Sequence, residues 1–175
     1  MTAMPVHPRK DTPREPRPAR SPAPQLPAFE TLEHAHQAAL QMLRHLNTLV
    51  QHLEQAGVDD TARRAAREVL EYFNGPGLDH HAQEEHHVFP TLLASDDAEL
   101  VHHVQRLRQD HGWIEQDWRE LEPLVRAVAD GYDWYDLAML RAAVPVFESL
   151  YQEHIALEET VVYPGARNLL RHARH

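Results

Sequence analysis

The sequence has no cysteine, only six glycines, and no apolar run near the roughly 18 residues that a membrane-crossing helix requires. Each absence removes a class of protein. Without thiols there is no disulfide framework, no all-cysteine iron–sulfur cluster, no zinc ribbon, no attachment point for a c-type haem and no cysteine nucleophile. Basic residues are also in deficit, 17 Lys and Arg against 27 Asp and Glu, for a net charge of −10 with neutral histidine. Such a surface repels phosphate backbones, so no nucleic-acid partner is expected. The N-terminus lacks the apolar stretch of a signal peptide, which together with the missing membrane span predicts a cytoplasmic protein with no membrane partner.

What the chain has in excess is histidine, 15 in 175 residues, and proline at one end. Residues 1–27 hold eight of the 13 prolines, five basic residues (Arg9, Lys10, Arg14, Arg17 and Arg20) and two acids. With almost no large apolar side chain, this Pro-rich segment cannot offset its ordering entropy and is expected to be a disordered, basic tail. Residues 28–175 are expected to form one all-α domain. In its first helix Leu32, His36, Ala39, Leu40, Leu43, Leu46, Val50 and Leu53 recur at steps of three and four, up to Gly57. Asp59 and Asp60 offer an N-cap for a second helix through Ala62, Ala66, Val69 and Phe73, broken by Asn74-Gly75-Pro76-Gly77 and resumed from about Asp79 to Leu93. Ser95 and Asp96 are expected to open a third, with Leu100, Val104, Leu107, Ile114, Trp118, Leu121 and Val125, closed by Gly131. Asp133 is expected to cap a fourth, which carries Leu137, Leu140, Val144, Phe147, Leu150, Leu157, Val161 and Leu169. Trp113, Trp118 and Trp134 are read as core or cap packing. No segment alternates with period two, and four long amphipathic helices on short connections predict an up-down-up-down antiparallel four-helix bundle.

At about 100° per residue, His36 lies in the middle of the first apolar stripe, with Leu40, Leu43 and Val50 within about 40° of it. His34, His45 and His52 fall on the opposite face. His111 holds the equivalent place on the third helix, among Val104, Leu107, Ile114 and Trp118. On the second and fourth helices, His80 with Glu84 and His154 with Glu158 are four apart and share a face. The arrangement repeats. His36 and His111 are 75 residues apart, and the pairs Phe73/Phe147, His80/His154, Glu84/Glu158, Phe89/Tyr163 and Pro90/Pro164 are each separated by 74. Two copies of a helical hairpin packed as a bundle would bring His36, His80, Glu84, His111, His154 and Glu158 into one core layer.

Two carboxylates facing each other in a core repel unless a cation lies between them, which makes this layer a metal site. Nitrogen and oxygen donors without sulfur suit iron, manganese or zinc. Six side chains exceed what one catalytic zinc takes and fall short of closing two octahedral ions. With both carboxylates bridging and an oxo or hydroxo bridge, about ten of twelve positions fill and about two stay open for a small ligand.

The stretches HHAQEEHHVFP (80–90) and HIALEETVVYP (154–164) resemble the paired His-x-x-x-Glu-Glu-x-x-hydrophobic-aromatic-Pro signatures of the hemerythrin-like, or HHE cation-binding, domains. The resemblance runs from residue 29 to about 170. It implies a four-helix bundle with a non-haem di-iron centre, two oxo- or hydroxo-bridged iron ions, and ligands at His36, His80, Glu84, His111, His154 and Glu158. Bacterial members with four histidines and two glutamates include proteins of iron-centre repair after nitrosative stress. A protein that binds or senses oxygen, nitric oxide or iron itself, in oxidative or nitrosative stress, is therefore what the resemblance implies. Two other functions stay open: a di-iron oxidoreductase acting on oxygen, peroxide or nitric oxide, and a metal-free helical interaction module. Oxygen-carrying members have a histidine four residues after the third-helix ligand and an aspartate five after the fourth-helix one, where this chain has Glu115 and Glu159. Reversible oxygen carriage is accordingly not expected, and with no cysteine in the sequence neither is a cysteine-bearing leader like that of the repair proteins.

His87 lies seven residues after His80, about −20° from it on a straight helix, so it is expected to point into the same layer and bond a group beside the ligands. Its repeat partner is Val161. His81, at about +100°, is a weaker candidate for the same role, and Glu115, about 40° from His111 on the third helix, is the expected partner for such a bond. Glu85, Glu159, His86, His102 and His103 are read as solvated or flanking, and His172 and His175 as a fraying end.

Overall fold

Apolar residues at helical spacing build four rods in a computed structural model that describes residues 29–172; the expected tail at 1–27 lies outside the described residues. The first rod is α1 (Phe29–Ala56), ended at Gly57, whose φ of 68° is the left-handed conformation that glycine takes without strain. The second runs through α2 (Asp60–Phe73), α3 (Pro76–Gln83), a π-helical turn (Glu84–Val88) and α4 (Phe89–Leu93). The third is α5 (Ala98–Asp130), and the fourth joins α6 (Leu137–Leu157), a second π turn (Glu158–Val162) and α7 (Tyr163–His172).

Asp59 caps α2 as expected, its carboxylate accepting from the Ala62 amide at 2.8 Å. Three other boundaries differ. The second rod resumes at Pro76 rather than Asp79, because proline's fixed φ and missing N–H suit the first helical position. Asp97 opens α5 in place of Ser95 or Asp96, accepting from the Leu100 amide at 3.0 Å, and Asp136 opens α6 in place of Asp133, accepting from the Met139 amide at 2.9 Å. In each case the cap is the aspartate whose carboxylate reaches the amide three residues on, that of Leu100 or Met139.

The rods form a closed ring, α1 against α2, α2 against α5, α5 against α6 and α6 back against α1. Their directions show in the pairings. Glu33 meets Arg167, His36 meets Glu159, Asn47 meets Glu148 and Glu54 meets Arg141, so partner numbers fall along the fourth rod as they rise along α1. Neighbouring rods are antiparallel, as the short connections require. Among the described residues there is no strand, and no helix is long and apolar enough to cross a membrane.

The core has two apolar clusters. The larger includes Leu43, Leu46, Phe73, Phe147 and Tyr151 together with Trp118, whose indole N–H donates to Asn74 Oδ1 at 2.7 Å. The smaller lies where α1 and α5 begin and holds Leu32, Phe89, Leu92, Leu107, Val162 and Tyr163. Trp113 and Trp134 belong to neither and are exposed, contrary to expectation. Trp113 is two residues, about 200°, around α5 from His111, and Trp134 stacks on Tyr132 in the connection before α6. Between the clusters runs a layer of buried polar side chains.

Candidate metal centre

All six residues expected in that layer are there. His36, His80, Glu84, His111, His154 and Glu158 are each at most 4% exposed. They arrive from four rods: His36 from α1, His80 from α3, His111 from α5 and His154 from α6, while Glu84 and Glu158 are the first residues of the two π turns. Their donor atoms form two overlapping quartets, His36–His80–Glu84–Glu158 and Glu84–His111–His154–Glu158, with the donor atoms of each within 4.8 Å of one another. Both carboxylates belong to both quartets.

Nitrogen and oxygen approach closely. His36 Nε2 is 3.0 Å from Glu158 Oε2, His154 Nε2 is 3.1 Å from Glu158 Oε1, and His111 Nε2 and His80 Nε2 are 3.3 and 3.6 Å from Glu84 Oε2. Even so, His111 Nε2, Glu84 Oε2, both Glu158 oxygens and both ring nitrogens of His80 and His154 are buried without a hydrogen-bond partner. Buried polar atoms are ordinarily satisfied, so a cluster of orphans converging on one region fits a set of cation ligands. The donor set, imidazole nitrogen and carboxylate oxygen, fits iron, manganese or zinc.

A second ring of groups orients the imidazoles. His36 Nδ1 donates to Glu159 Oε1 at 2.9 Å, and His111 Nδ1 donates to Glu85 Oε1 at 3.0 Å. A carboxylate can only accept, so these contacts put a proton on Nδ1 and make Nε2 the nitrogen that faces the centre. Arg108 in turn donates to Glu85 at 3.0 Å. Asp110, also buried, lies 3.8 Å from His154 Nδ1. Tyr163 stacks on His36 with ring centroids 5.5 Å apart, as Phe89 does on His111, and the Tyr163 hydroxyl donates to Glu84 Oε1.

The electrostatics of the layer describe a region short of positive charge. Burial pushes His80 down to about 3 and His81 down to about 4, so both are neutral at pH 7. Burial works against a charge on His154 too, but the Glu158 carboxylate and then Asp110 outweigh it and lift this imidazole to about 10. Burial, followed by the facing Glu158 carboxylate, raises Glu84 to about 7. Glu158 is held well below the usual carboxylate range, because His154 and His36 overcome its burial. Imidazoles take up protons here to offset two carboxylates, the part a bound cation fills.

Several readings of the sequence are overturned. His87 is exposed instead of entering the layer, and Val161, its repeat partner, is 37% exposed instead of lying on the apolar stripe. Each falls within a π turn, whose extra residue per turn rotates everything beyond it by about one position, so that Val88 and Val162 take the inward places. Glu85 and Glu159 are not merely flanking; they hold His111 and His36. His86 and His102 are exposed, as expected. Asp110 and Tyr163 had no reading beside the centre, and the only signal was a carboxylate next to His111 and an aromatic in the repeated motif. His81, the weaker candidate, is buried in the layer itself.

A family model described as the hemerythrin HHE cation binding domain matches residues 28–166. A protein of Haemophilus influenzae described as uncharacterized is 26% identical over 141 residues, covering 78% of this chain and 77% of that relative. No solved structure matches.

Proposed function

The chain belongs to the hemerythrin HHE cation-binding domain family, and on that premise we propose that it holds two iron ions and binds a small ligand, oxygen or nitric oxide, at them. The observation that carries this reading is the pair of quartets sharing Glu84 and Glu158, most of whose inward atoms have no hydrogen-bond partner in the protein. One quartet alone would support one ion; two that share their carboxylates support two ions side by side. His36, His80, His111 and His154 would supply the nitrogen ligands. Iron bound there would supply an exchangeable coordination position and a change of oxidation state. The protein's share is to keep the imidazoles aimed, through Glu159 and Glu85, and to keep bulk water out by the apolar clusters above and below. A metal-free interaction module would leave these buried atoms unsatisfied, so it is the poorer account.

Anaerobic loading with ferrous ion tests this. Two irons per chain are expected, with an azide- or nitric-oxide-dependent optical spectrum. Glu84→Ala should lose both ions and His36→Ala mainly one, whereas Glu159→Ala should retain two with affinity weakened about 10- to 100-fold. Less than one iron per chain, with no rise in Tm on loading, would contradict the reading.

A further inference from the structure

The two quartets are related by the internal repeat, but one side chain breaks the relation. His81 sits beside the second quartet, 3% exposed, its ring stacked on His111 with centroids 4.1 Å apart and edge-on to His154 at 5.7 Å. One nitrogen each from His81, His111 and His154 lies within 4.8 Å of the others, a cluster separate from the two quartets but sharing two members with the second. Its repeat partner is Ile155, equally buried. The first quartet therefore has an apolar residue where the second has a fifth imidazole.

Packing does not require that imidazole, since isoleucine fills the equivalent space in the other half. Hydrogen bonding does not account for it either. Both ring nitrogens are buried without a partner, and the nearest carboxylate oxygen across the helix interface, Glu115 Oε1, is 3.9 Å from Nδ1. A buried imidazole with no hydrogen bond, next to two others that face a metal position, is placed to serve as a further nitrogen ligand. We infer that His81 is a nitrogen ligand of the ion held by Glu84, His111, His154 and Glu158, so that this ion has three imidazoles and its neighbour, held by His36 and His80, has two. The inference rests on the di-iron reading above. It makes the ions chemically unlike each other, with the two-imidazole ion having the more open coordination.

The test writes the first half's residue into the second, His81→Ile, in full-length protein loaded with 57Fe(II). The wild type should give two Mössbauer doublets of equal area. The variant should still bind two irons, with one doublet moved, the other unchanged, and the affinity for one ion at least tenfold weaker. Two irons with unchanged doublets and affinities in the variant would overturn the assignment of His81 alone. Fewer than two irons in the wild type would overturn the di-iron reading and this inference with it. Should the isoleucine variant not fold, the wild type still decides: selectively 15N-His-labelled, Co(II)-loaded protein should show five strongly shifted imidazole signals, and four would refute the proposal. His81→Gln, which keeps a polar side chain, should lose the fifth signal and keep the other four.

Discussion

Glu84 and Glu85, like Glu158 and Glu159, are consecutive carboxylates with different work, separated by one residue's turn of the backbone. The first of each pair faces the centre; the second reaches the outer nitrogen of a histidine on another rod, Glu85 to His111 and Glu159 to His36. The six inward residues were legible from sequence because helical period and a 74-residue repeat put them on core faces. The outer pair was not, because its partners lie 26 and 123 residues away and the contact depends on how the rods pack. Protonation follows from this crowding. His154, lifted to about 10, carries a proton at neutral pH, and Glu84, raised to about 7, carries one below neutrality. Metal binds only the deprotonated donors, so each proton must leave as an ion enters, and affinity rises with pH. A tenfold gain per pH unit is expected from His154 alone between about pH 7 and 8, and a steeper gain between about 6 and 7, where Glu84 adds its own proton. Calorimetric titration in buffers of different ionisation enthalpy counts the released protons; a pH-independent affinity would contradict the assignment.

At the scale of the element, the two π turns explain the misplaced residues. On a straight α-helix Phe89 and Tyr163 fall about 180° from His80 and His154, on what would be the solvated face. Both are fully buried. That slip of phase between the carboxylate and the aromatic was present in the sequence in both copies and is the mark of an inserted residue. Helix breaks of this kind leave no turn residue behind, so boundary signals such as Gly57 and Gly131 were readable where the π turns were not. A wider turn costs hydrogen-bond quality, and here it falls at the shared carboxylates. Deleting Val161, an exposed member of the second turn, should restore an α turn with Val162 and Tyr163 still inward. The apo protein is then expected to melt at the same temperature or higher, while iron affinity drops at least tenfold because Glu158 is re-aimed. Calorimetric melting with and without iron measures both; loss of apo stability with unchanged affinity would be the opposite result.

For the molecule as a whole, the bundle followed from four amphipathic stripes on short connections, and the order of rods around the ring needed nothing beyond antiparallel neighbours. What no stripe revealed is that the core is interrupted. The polar layer crosses the bundle and divides the large apolar cluster from the small one at the end made of α4, α7 and the beginnings of α1 and α5. Bound ions would tie all four rods together at that layer and stabilise the native state by mass action, about 2.7 kcal/mol at a free concentration one hundred times Kd. Stripped of metal, the layer holds two facing carboxylates and unsatisfied imidazoles, and the coupling of one cluster to the other is left to a few contacts such as Tyr163 with Glu84 and His36. Cooperativity is the property at stake. The chelated protein should unfold in two stages in urea, the small end first with a shallow m-value, and amides of α4 and α7 should exchange with solvent ahead of those in α2. Loaded with iron, circular dichroism and Trp118 fluorescence should trace one coincident transition, so that the ions decide whether this chain unfolds as one body or as two.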